Sequence, residues 1–208
     1  KENTNFPFEA QVGEGENTKN FLPMYSYWNY SISEQLFKAE ELSGAGVGRV
    51  INSLSWYATT VGEVPIQRNI SIWMANVSDT YVTTTSHNTS NMTLVYNGSF
   101  TPQVGWNEFA FNWDAFVWDG TSNVLVCVQR NNGDWKSGLN WQTHTTNFNA
   151  SGYKGNDDNA YYMSTNTYTT NVTTERANTL FKCVARNTTI AFTGEVKNGT
   201  ASVNVPLS

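Results

Sequence analysis

Charge is scarce in this sequence. Lys, Arg, Asp and Glu make up 14% of its 208 residues, against about 25% in an ordinary soluble domain. The basic sign is the rarer, 12 residues against 17 acidic ones, and the Lys and Arg are scattered singly. Nucleic-acid binding draws on clustered cations that neutralise phosphates, so that class of function is excluded, and attachment to an anionic membrane is disfavoured for the same reason. No run approaches the roughly 20 apolar residues of a membrane-spanning helix. Only two cysteines occur, Cys127 and Cys183, too few to make the redox compartment legible. Each lies in an apolar stretch, which favours two buried thiols on neighbouring strands, with a disulfide as the alternative. A chain this long buries roughly 70% of its unfolded surface and folds without such staples.

Catalytic signatures are also missing. The sequence has no Gly-x-Ser-x-Gly elbow, no His-Glu-x-x-His zinc helix and no phosphate-cradling glycine loop. Its two histidines, His87 and His144, stand apart in Thr- and Asn-rich stretches and read as solvated. Glycoside hydrolysis needs only two carboxylates at a set separation, but most acids here fall at turns or strand ends. The expectation is a non-catalytic domain.

Asn, Thr and Ser fill the space that charge leaves. Their short side chains compete with the backbone for hydrogen bonds and make poor helices, and a surface built from them suits an extracellular, secreted or cell-surface protein. Alternation of apolar and polar residues recurs at 50–57, 68–74 and 105–113, and a nearly continuous apolar run at 123–130 suits a central strand. Asn97-Gly98 and Asp119-Gly120 are strong turn dipeptides. Further strands are expected at 159–164, 179–185 and 188–193. Ser33–Leu42 has the one helical composition, read as a strand through Leu36 and Phe37 followed by a helical turn at Ala39–Leu42. Roughly nine or ten short strands with little helix point to an all-β, antiparallel β-sandwich, jelly-roll-like, in a single domain. Residues 1–12 are expected to be a flank or first edge strand, 13–193 the sandwich, and 194–208 a strand or linker to a following module. The chain reads as a monomeric piece of a longer protein.

The aromatic content is what demands a functional explanation, with eight Trp, ten Tyr and eleven Phe. Flat rings edged by polar groups suit the CH faces and hydroxyls of sugars. The segment 131–158 reads as a long loop, and long loops in compact domains are commonly functional. It supplies the leading candidates, Trp135 with Asp134 beside it and Trp141 with Gln142. A second candidate is the cluster from Tyr25 to Tyr30, where alternation sends Tyr25, Tyr27 and Asn29 one way and Ser26, Trp28 and Tyr30 the other, so that one set faces the core. Tyr27 is its candidate binding residue, against a structural role for the cluster. Trp73 alternates away from the Ile70, Ile72 and Met74 face, which leaves it either exposed or covered by a loop. Trp56, Trp106 and Trp113 are expected in the core and Trp118 on the rim. Asp157 and Asp158 offer hard oxygen ligands of the kind calcium takes, against the alternative that Asp and Asn bond their own turns; for Asp119 the turn is the stronger reading. Seven of the Asn-x-Ser/Thr sequons, at Asn29, Asn69, Asn76, Asn88, Asn91, Asn97 and Asn149, are of a number that chance supplies in so Asn- and Thr-rich a chain.

A series of segments in order carries a family resemblance: Gly13-Glu14-Gly15, Phe21-Leu22-Pro23, Tyr30 to Leu42, Gly44-Ala45-Gly46, Ile51 to Ser55, Arg68 to Trp73, Val95 to Gly98, Gly105-Trp106 and Phe116 to Val126. Across residues 13–193 the chain resembles a secreted surface domain of Bacteroidetes, similar to cleaved-adhesin domains and jelly-roll carbohydrate-binding modules. The resemblance implies a β-sandwich, an accessory role in binding polysaccharide or another surface partner, and often a structural calcium ion. It carries no ligand-binding motif onto particular residues.

Overall fold

The computed structural model describes residues 8–45 and 50–184. Strands β1 (Phe8–Val12), β2 (Asn17–Lys19) and β3 (Tyr30–Phe37) lead into a 3-10 helix at Ala39–Ala45. Then follow β4 (Val50–Thr60), β5 (Gln67–Val77), β6 (Thr93–Phe100), β7 (Gly105–Ala110), β8 (Phe116–Val117) and β9 (Asn123–Arg130). The chain continues through β10 (Asn140–Thr145), β11 (Ser151–Asn156), β12 (Asn171–Thr173), β13 (Glu175–Ala177) and β14 (Thr179–Val184). Two antiparallel sheets result. The first runs β1-β14-β4-β10-β13, with β2 on β10 and β7 and β8 on β4; the second runs β12-β11-β3-β9-β5-β6. The chain shuttles between them, β3 in the second sheet, β4 in the first, β5 back in the second, which gives a jelly-roll-like sandwich in one domain.

Alternation along each strand builds the space between the sheets. Leu54, Trp56 and Ala58 of β4 face Ile70, Ile72 and Met74 of β5 and Val124, Val126 and Val128 of β9, all buried in one cluster with Phe37, Phe109 and Phe181. A second layer of apolar packing lies on the far face of the second sheet. Ile32, Leu36, Trp73, Leu125 and Cys127 alternate outward there and meet Val82, Tyr161 and Met163 from the segments 78–92 and 157–170. Those segments are held to one another by Ser86 N–H to Tyr168 O at 2.8 Å, Thr89 N–H to Met163 O at 2.8 Å and Thr170 N–H to Thr84 O at 2.8 Å. They cover the sheet as a lid of loops.

Several expectations need correction. The segment 131–158 is not one loop, because it contains β10 and β11. Polar Asn, Thr and Gln on the outward positions hide the alternation that places Trp141 and Thr143 inside. Residues 159–164 form no strand; they belong to the covering loops, and the apolar content of Tyr161 and Met163 serves that second layer. Trp106 and Trp113 stand outside the core at 40% and 65% exposure, whereas Trp118 is buried, with its Nε1–H donating to Ser122 O at 2.8 Å. Cys127 belongs to the outer layer and Cys183 to the space between the sheets. They lie on strands of different sheets, not on neighbours, and no disulfide joins them. The expected strand at 188–193 and the tail 194–208 lie outside the described residues.

Candidate functional site

One end of the sandwich gathers six aromatic rings. Four come from the connection between β2 and β3, where Phe21, Tyr25, Tyr27 and Trp28 lie within nine residues; Trp135 comes from the β9–β10 connection and Tyr153 from β11. Phe21 stacks on Tyr153 with centroids 4.1 Å apart and planes 20° from parallel, and Tyr25 meets both rings edge-on. Tyr27 stands 6.1 Å from Tyr25, 5.5 Å from Trp28 and 5.7 Å from Trp135, where the planes are tilted by 56°. Trp28 lies against the backbone of Gly155, where an added Cβ would come within 2.1 Å of the indole, so only glycine admits this packing. Tyr27 and Trp135 are the outermost rings, 46% and 50% exposed. Large apolar side chains left open and contiguous mark an interaction site.

The two connections are stitched through their backbones. Lys136 N–H donates to Ser26 O at 2.9 Å, Ser26 Oγ donates to Lys136 O at 3.0 Å, and Gly133 N–H donates to Asn29 O at 3.0 Å. Gly133 holds a φ of 71°, a left-handed turn that side chains disfavour, and it delivers Asp134 and Trp135 to the surface. Beneath the stitching lies Arg130, the last residue of β9 and wholly buried. Its Nη1 donates to Trp28 O at 2.6 Å and Asn29 O at 3.3 Å, its Nη2 to Asp134 O at 2.8 Å, and its Nε to Gln67 Oε1 at 2.6 Å. All these acceptors are neutral. Desolvation lowers the guanidinium pKa to about 10, which leaves it charged at neutral pH. One buried cation thus clamps the backbones that carry Tyr27 and Trp135, and a site held this way loses little freedom when a ligand arrives.

The sequence candidates fare differently. Tyr27 and Trp135, 108 residues apart in the chain, come together. Asp134 is exposed beside Trp135, with its carboxylate 3.7 Å from Lys136 Nζ. Trp141 is corrected from loop contact to core. It sits on β10 at 0% exposure and belongs to the main cluster, where it can stack on no ligand. Gln142, its neighbour on β10, pairs with Thr18 of β2 and stands apart from the six rings. Trp73 takes the covered alternative, at 8% exposure beneath the loops. Arg130, Trp28 and Tyr153 are the residues that the sequence reading does not single out as binding groups.

Asp157 and Asp158 act here as turn residues. Asp157 Oδ1 accepts from Asn29 N–H at 3.0 Å and its carbonyl from Asn29 Nδ2 at 3.0 Å, which ties the ring-bearing connection to the end of β11. Asp158 N–H donates to Asn156 Oδ1 at 2.9 Å. No third acid joins them, and no group of three or more His, Cys, Asp or Glu suited to a metal ion occurs among the described residues. Asp119 is likewise a turn residue. Hydrogen bonds from Ser122 and Thr121 lower its pKa to about 2.

Both histidines prove to be held rather than solvated. His87 Nδ1 lies 2.9 Å from an oxygen of the buried Glu34, and that hydrogen bond raises its pKa above the ordinary histidine value. His144 Nε2 faces Arg176 Nη2 at 3.0 Å and its Nδ1 faces Asn178 Oδ1 at 2.9 Å. A guanidinium only donates, so Nε2 accepts and the proton sits on Nδ1. Burial, with the Arg176 charge, lowers this pKa.

No family model, curated protein or solved structure matches the chain. Fold and site together define an all-β sandwich domain with a clamped aromatic surface at one end.

Proposed function

We propose that this domain binds carbohydrate without catalysis, as a module of a secreted or cell-surface protein, and that Tyr27 and Trp135 are its stacking residues. The observation that carries the proposal is the exposed pair itself: two rings 5.7 Å apart on separate connections that are bonded to each other through their backbones. Stacking on sugar faces supplies apolar contact, while Asp134, Lys136 and the Tyr hydroxyls provide the polar edges that fix orientation. The likeness to jelly-roll binding modules and the scarcity of charge point the same way. The non-catalytic part rests on His87 and His144, each tied into a hydrogen-bonded structural network.

The rival use of such a surface is an adhesin-like contact with a protein, for which exposed Tyr and Trp are equally suited. Affinity-gel electrophoresis against a panel of soluble polysaccharides separates the two. The domain is expected to be retarded by at least one glycan, and Trp135→Ala and Tyr27→Ala each to migrate freely in it. Free migration of the wild type in every gel would remove the carbohydrate reading.

A further inference from the structure

We infer that the ligand is a short, non-planar stretch of a soluble glycan, one or two sugar residues at a chain end or a bend, and not the flat face of a crystalline polysaccharide. This rests on the carbohydrate reading above and specifies its substrate class.

The argument starts from what a flat ligand requires. A ring gains most from a sugar when their planes lie parallel, so a flat crystalline face is gripped by rings that share one plane. The planes of Tyr27 and Trp135 are tilted by 56°, so if one lies flat on such a face, the other cannot. The rings behind Tyr27 do not repair this, because Trp28 stands at 88° to it and Tyr25, tilted by 28°, is half-buried and stacked against it. A ligand that uses both exposed rings must turn between them.

Nor does another surface supply the plane. Trp106 is the exposed tryptophan on the outer side of the first sheet, and its ring stands at 87° to its neighbour Tyr57, 5.5 Å away. On the second sheet the flat outer face is filled by the layer of Trp73, Val82, Tyr161 and Met163. Trp113, Tyr81 and Tyr162 are exposed singly, so among the described residues two well-exposed rings meet at this corner alone. Two rings 5.7 Å apart span only a short epitope, and the other four rings of the cluster are half-buried against one another.

Two measurements on the intact domain test this. The first is depletion from solution by microcrystalline cellulose and by chitin particles. The second is calorimetric titration with the di-, tri- and hexasaccharide of whichever polysaccharide retards the protein in gels. The expected results are no depletion by either particle and affinities for the three oligosaccharides within about twofold of one another. Trp135→Ala should abolish all three affinities while its melting temperature stays that of the wild type. Depletion by the particles, or a hexasaccharide bound tenfold or more tighter than the disaccharide, would overturn the inference and leave carbohydrate binding standing. Absence of binding to every soluble and insoluble glycan would overturn both.

Discussion

Two groups of aromatic residues sit beside the same sheet, and the chain treats them in opposite ways. On the outer face of the second sheet, Trp73 and Tyr161 lie under loops that turn Val82 and Met163 down onto them, and the loops bond both to each other and to Glu34, Gln129 and Asn131 beneath. At the end of the sandwich, Tyr27 and Trp135 lie on connections whose backbones are pulled inward by Arg130 and by bonds between Ser26 and Lys136. In the first case Val82, Tyr161 and Met163 turn inward while Tyr81 and Tyr162 of the same loops stay exposed. In the second the polar backbone has been satisfied within, so the rings are left facing water. Exposure of an aromatic here follows the local hydrogen bonds, since both regions are rich in Asn and aromatic residues.

The contrast breaks most visibly on truncation. Trp141→Ala and Trp73→Ala each remove a buried indole and should cost about 3–5 kcal/mol, read as a lowered urea midpoint. Trp135→Ala should stay within about 0.5 kcal/mol of wild type. A large loss for Trp135→Ala would mean that its ring is structural and the two regions are alike. Next in size is Arg130→Met, which keeps apolar volume but strands the carbonyls of Trp28 and Asp134. An unsatisfied buried group costs about 1–3 kcal/mol, so the loss should be on the order of 3 kcal/mol. Amide exchange should rise at 25–29 and 131–137 and leave 78–92 as it was. Even loosening of both regions would contradict the clamp.

A smaller effect separates the regions by pH. His87 holds the covering loop at 78–92 to Glu34, and its folded pKa is raised. Its contribution is therefore complete below the ordinary histidine pKa and is lost as pH rises through the folded value. His144 has the opposite sign, because its pKa is lowered. Its contribution is present above the ordinary value and is lost as pH falls through the folded one. Melting curves across pH 5 to about 8 should show His87→Gln removing the alkaline decline and His144→Gln removing part of the acid one. The rings at Tyr27 and Trp135 lie outside both networks, so glycan binding should change little over that range.

Much of the architecture was legible because period-two patterns are strong in β4, β5 and β9, where apolar residues alternate or run together. β10 and β11 were not legible, since Gln142, His144, Tyr153 and Lys154 interrupt the apolar pattern and their neighbours are Asn, Gly and Thr. Of the site, the exposure of Trp135 could be read from the Gly133-Asp134 turn before it, whereas alternation within 25–30 split the rings into two sets without telling which faces water. The pairing of Tyr27 with Trp135 could not be read, because it depends on a contact across 108 residues. Arg130 was invisible for a different reason. A basic residue at the end of an apolar strand looks like a solvent-facing terminus, and only the fold shows three loop carbonyls converging on it. Trp141 misled because a tryptophan between Asn and Gln looks like a surface residue until its strand is paired.

The most direct measurement is a titration of the isotopically labelled domain, followed by the indole N–H and tyrosine ring resonances, with the glycan that retards it in gels. The account predicts shifts at Trp135 and Tyr27, with smaller ones at Trp28, and none at Trp56, Trp73, Trp106 or Trp141. Shifts centred on Trp106 and Tyr57, with Trp135 and Tyr27 unmoved, would contradict it.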